Sequence, residues 1–199
     1  MPSPFTENPL SSEERYLRLF KEGCELSRGL LHIDGQPLKS PGFFEKRKLH
    51  KAKRLFESSA LEQPANAAPC LMIAKVAYSL GETSNCLQWL LKAWELEPAN
   101  LILVIELSSA YGALGKHREA VSVLQEGIKY HPDEPRILFN LGLSYLLDRN
   151  PELAVAMFQK AVAIEPEFSQ NHRLLQYSQS VFEGTKLMPR DPSEISRNI

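Results

Sequence analysis

Three cysteines and five histidines are the side chains of this 199-residue chain best suited to nucleophilic or metal chemistry. A metal site needs several such ligands at short, regular spacing, and a thiol nucleophile needs a base to activate it. Neither pattern occurs. Cys24, Cys70 and Cys86 form no CxxC pair, and His32, His50, His117, His131 and His172 never fall one helical turn apart. The chain also lacks a glycine-rich phosphate loop and a Gly-x-Ser-x-Gly elbow. We therefore expect a protein that is not an enzyme and that uses no cofactor and no metal. The thiols are expected to be reduced and buried, as free cysteines in small core positions commonly are, which suits the cytoplasm or another reducing compartment.

The densest charge is a basic run, Lys46, Arg47, Lys48, Lys51, Lys53 and Arg54, with His50 among them. Such a run on a helix is expected to be a solvated outer face, and the alternative is an anion patch for RNA or acidic lipid. The formal net charge of the whole chain is only -1, so no long-range field steers a polyanion and nucleic acid is disfavoured. Trp89 and Trp94 read as packing between helices, because tryptophan buries a large apolar area. The N-terminus shows no charged segment followed by an apolar stretch. The longest aliphatic run, Leu101 to Ile105, is far too short to span a bilayer.

The elements that hold these residues follow from a period. Pro64, Pro98, Pro132 and Pro166 recur every 34 residues. Ala52, Cys86, Ala120 and Ala154 keep the same step, as do Phe56, Leu90, Leu124 and Phe158. Further columns run Ile73, Leu107, Leu141, then Ala74, Ser108, Gly142, then Ala93, Gly127, Ala161. Large and small residues alternate as two closely packed helices require, so each unit is one helical pair stacked on its neighbours. Gly81 and Gly115 sit where first helices should close, and Asn150-Pro151 where a second helix should open.

Leu138, Leu141, Gly142, Tyr145, Ala154, Phe158, Ala161 and Pro166 together resemble the tetratricopeptide repeat. Residues 101–134 keep Leu107, Ser108, Tyr111, Gly115, Ala120 and Pro132. Residues 67–100 keep Ile73, Ala74, Gly81, Ala93 and Pro98, with Ala77 in place of the tyrosine. The resemblance implies an all-α, right-handed superhelical solenoid of antiparallel helix pairs. Residues 12–66 form an irregular first pair, since Leu49, Ala52, Phe56 and Pro64 make a second helix but no Leu-Gly-Tyr set lies at the right distance before it. Its first helix is expected from residues 12–30, and an insertion over 31–43, rich in Asp-Gly and Pro-Gly turn signals, reads as a loop with room for a short hairpin. Repeats at 67–100, 101–134 and 135–168 follow. A capping helix is expected over 169–186, with a flexible N-terminus at 1–11 and a disordered tail at 187–199.

The family further implies a concave face lined by the first helix of each pair. Here that face holds Leu71, Lys75 and Tyr78, then Ile102, Ile105 and Ser109, then Arg136, Phe139, Asn140, Leu143 and Leu146, with Arg173 and Tyr177 from the capping helix. It is too apolar for a solvated surface. The expectation is a groove binding an apolar peptide or helix of a partner protein, as an adaptor, co-chaperone or assembly factor would. The alternative is a structural subunit that buries the same face itself, against a second copy, the N-terminal segment with Phe5 and Leu10, or the 31–43 insertion. A carboxylate clamp, one well-known use of the family, is disfavoured because Leu71, Ile105 and Phe139 hold its inward column and only Arg136 and Asn140 resemble it.

Overall fold

The computed structural model describes residues 10–31 and 40–198, and every regular element among them is an α-helix. The chain divides into two units, Met1–Leu96 and Glu97–Ile199.

In the first unit, α1 (Ser12–Ser27) pairs with α2 (Phe43–Glu62), and α3 (Ala67–Ser79) with α4 (Thr83–Leu96). Ser11 and Glu14 form a capping box that starts α1, each side chain bonding the other's backbone N–H. Gly23 then lets the helices meet: a Cβ there would lie 2.7 Å from the Phe56 ring. Leu49, Ala52, Phe56, Ile73 and Val76 form the core beneath. Phe20 packs edge-on to Phe56, with ring centroids 5.5 Å apart. The outer end of the pair is clamped by Arg15, whose Nε and Nη2 each donate to a Glu62 carboxylate oxygen at 2.8 Å. Ser12 Oγ donates to the same carboxylate. Most of the 31–43 insertion, with the expected hairpin, lies outside the described residues, as do residues 1–9 with Phe5. α2 begins at the end of the insertion, at Phe43.

In the second unit, α5 (Leu101–Ala113) and α6 (His117–Tyr130) form one pair, α7 (Pro135–Leu147) and α8 (Pro151–Ile164) the next, and α9 (Ser169–Phe182) packs on α8. Gly127 of α6 is a three-helix contact point, its missing Cβ falling 2.5 Å from Val104 of α5 and 3.2 Å from Ile137 of α7. Gly142 of α7 meets the Phe158 ring of α8 as Gly23 meets Phe56. Asn100 caps α5 by accepting from the Ile102 N–H, as Asn66 does for Ala68 in the first unit. Gly81 and Gly115 close first helices with positive φ, and Arg149 holds the corresponding position with φ of 64°.

After α9 the chain forms a short helix, α10 (Pro192–Asn198). This differs from the tail expected over 187–199. Asp191 Oδ1 accepts from the backbone N–H groups of Ser193 and Glu194, which starts the helix, and Ile195 is buried.

Candidate partner-binding surface

On α5 the residues 102, 105, 109 and 112 are spaced by three and four, so they form one helical stripe, and 136, 139, 143 and 146 repeat it on α7 one period later, with 140 beside them. α5 and α7 lie against each other within the second unit. Ile102 is 49% exposed, Ile105 is half-buried and Ser109 is exposed. Beside them Gly112 faces open space, since a Cβ there would meet nothing within 4 Å. On α7, Asn140 and Leu143 are half-buried, while Arg136 is exposed and donates from Nε to Glu134 at 2.7 Å. The result is a mixed surface of aliphatic side chains flanked by a guanidinium and an amide.

Three expected members of this surface serve packing instead. Leu146 is 0% exposed. It lies one turn beyond Gly142, on the side of α7 that faces α8, and is taken into the core. Phe139 is half-buried and stands edge-on to Phe158, with centroids 6.1 Å apart, so much of its ring stabilises the pair. Tyr177 is only 3% exposed. Lys186 Nζ stands 5.0 Å from its ring centroid, and its hydroxyl donates to the Leu187 carbonyl at 3.5 Å. Burial pushes its phenol up, with Glu194 adding to the effect. Arg173, on the same helix, is exposed but already engaged in an interaction.

In the first unit, Leu71, Lys75 and Tyr78 of α3 are all half-buried, and Lys75 and Tyr78 already make polar or ring interactions. The basic run lies on α2. Two of its six cations are neutralised, Lys51 by Glu22 at 2.9 Å and Lys53 by Glu82 at 2.6 Å. Burial alone would raise the Glu82 carboxyl, but hydrogen bonds from Lys53 and Asn85 outweigh it and hold the group below its usual value. Lys46, Arg47, Lys48 and Arg54 are exposed. Cys70 and Cys86 are buried and Cys24 is half-buried, and burial pushes the Cys24 and Cys70 thiols up, away from the thiolate that nucleophilic chemistry needs. Trp89 packs against the Phe56 core, and Lys92 lies over its ring.

Residues 105–170 match the family described as tetratricopeptide repeat. Those residues, about a third of the chain, are similar to the tetratricopeptide repeat. Among solved structures, MamA from Desulfovibrio magneticus RS-1 superposes with a TM-score of 0.69 over 93% of this chain and 91% of its own, at 18% identity. TTC0263, a thermophilic tetratricopeptide-repeat protein of Thermus thermophilus, gives 0.54 over 85% and 83%, at 20% identity. YrrB, described as a tetratricopeptide-repeat protein with an unusual peptide-binding site, gives 0.56 over 69% of each chain, at 22% identity. Identities this low speak for the fold alone. No curated protein matches the sequence.

Proposed function

We propose that this chain is a non-enzymatic interaction module, an adaptor, co-chaperone or assembly factor, whose second unit binds an apolar peptide or helix of a partner protein along α5 and α7. The observation that carries this reading is the half-exposed stripe of Ile102 and Ile105, continued by Asn140 and Leu143, beside the open space over Gly112. Apolar anchors flanked by Arg136 and Asn140 suit a short amphipathic segment, the anchors supplying affinity and the polar groups register. The peptide-binding site named for YrrB lends the reading support by analogy of fold. The three cysteines form no disulfide, which favours a reducing compartment such as the cytoplasm.

The test is selection of a displayed random-peptide library on the full chain, followed by titration of enriched peptides against wild type and an Ile102→Glu, Ile105→Glu variant. The residues are partly exposed, so helicity should be unchanged. Enriched peptides should carry two apolar residues at helical spacing and bind the variant about tenfold or more weakly. Peptides that bind both proteins equally would overturn the assignment to this stripe. A dimeric wild type that becomes monomeric in the variant would instead make a second copy the occupant.

A further inference from the structure

α2 opens with Phe43 and Phe44, which are 71% and 74% exposed. Their rings touch each other edge-on, centroids 5.5 Å apart, and remain largely open to solvent. On a helix the positions four, seven and eleven residues on return to the same side. Phe43 therefore leads into Arg47, His50 and Arg54, and Phe44 into Lys48 and Lys51. All five are exposed, and with Leu26 of α1 they border an open depression of about 680 Å³. Glu22 neutralises Lys51, whereas Arg47, Lys48 and Arg54 have no carboxylate partner among the described residues. The helix thus presents an apolar tip and a cationic shank.

We propose that this end of α2 docks on the surface of an anionic lipid bilayer. Phe43 and Phe44 enter the interfacial layer, and Arg47 and Lys48 lie one turn, about 6 Å, further along the helix, at the level of the lipid phosphates. Arg54 follows within about a Debye length, where a cation still feels the negative surface. Long basic side chains reach headgroups while their alkyl stems lie against the apolar layer. Rings and cations reinforce one another, since neither a few cations nor two rings alone holds a protein on a membrane. The contact is peripheral, because no helix among the described residues is long and apolar enough to cross a membrane. Nucleic acid fits less well, because the rings stand at 79° to each other and offer no shared stacking platform.

The test is cosedimentation of the full chain with vesicles of phosphatidylcholine alone and with about a third phosphatidylserine, at low and high salt. Wild type should partition onto the anionic vesicles and release at high salt. Lys48→Gln with Arg54→Gln should weaken partition about 25-fold, at roughly fivefold per cation. Phe43→Ser with Phe44→Ser should weaken partition even at low salt, where the cations are fully engaged. In Phe44→Trp, lipids brominated on their acyl chains should quench emission beyond the level that Trp89 and Trp94 give in wild type. These side chains are exposed, so equal circular dichroism is expected throughout. Absence of partition, equal partition onto neutral vesicles, or partition indifferent to the phenylalanines would overturn the proposal. Capture of a single-stranded RNA oligonucleotide with no vesicle binding would overturn it in favour of nucleic acid.

Discussion

Arg149 occupies the backbone position that Gly81 and Gly115 hold in the preceding pairs, and all three have positive φ. Glycine enters that region freely, whereas an L side chain crowds its own carbonyl. The arginine is exposed, so little packing offsets the strain. Arg149→Gly should therefore stabilise the protein by about 1 kcal/mol, part of the relief being cancelled by glycine's greater freedom in the unfolded chain. Urea unfolding followed by circular dichroism checks this: the midpoint should rise with an unchanged slope, and a lower midpoint would show that Arg149 makes compensating contacts.

At the scale of the element, α1 is tied to the far end of α2 by the Arg15 and Ser12 bonds to Glu62. The hydrogen bonds from Arg15, then Ser12, hold the Glu62 carboxyl below its usual range. A depressed carboxyl contributes stability that is complete above its unfolded value, about 4.3, and is lost as pH falls through the lower folded value. Hydrogen exchange should accordingly show α1 amides losing protection below about pH 4. Glu62→Gln should lower protection at neutral pH and flatten this part of the acid response. An unchanged acid response in that variant would assign the effect to another group. The apolar contacts of Phe20 with Phe56, and the close approach at Gly23, do not titrate and keep α1 associated.

At the scale of the whole molecule, the two proposed surfaces belong to different units, the stripe on α5 and α7 to the second and the α2 tip to the first. They also use different chemistry, aliphatic anchoring in one case and cations with aromatic insertion in the other. Ile102→Glu with Ile105→Glu should weaken peptide binding and leave vesicle partition unchanged, and Lys48→Gln with Arg54→Gln should do the reverse. Titrating each ligand against both variants checks this, and loss of both activities in either variant would show that one surface had been split in two.

The repeat itself was legible in the sequence, because a 34-residue period with alternating bulk forces every pair to solve the same packing problem, and Ala52, Cys86, Ala120 and Ala154 are all buried where that predicts. The first pair was only half legible: Gly23 does for Phe56 what Gly142 does for Phe158, but the insertion displaces it from the period, and only contact in space reveals the match. Tertiary structure also decided which members of the apolar stripe remain available, since one helical face serves both a neighbour and the solvent. Phe139 and Leu146 turned out to share the side that meets α8, while Ile102 did not. The basic run was visible in the chain as charge, but its partners were not. Pairing depends on carboxylates 29 residues away in either direction, Glu22 for Lys51 and Glu82 for Lys53, and only folding brings those within reach.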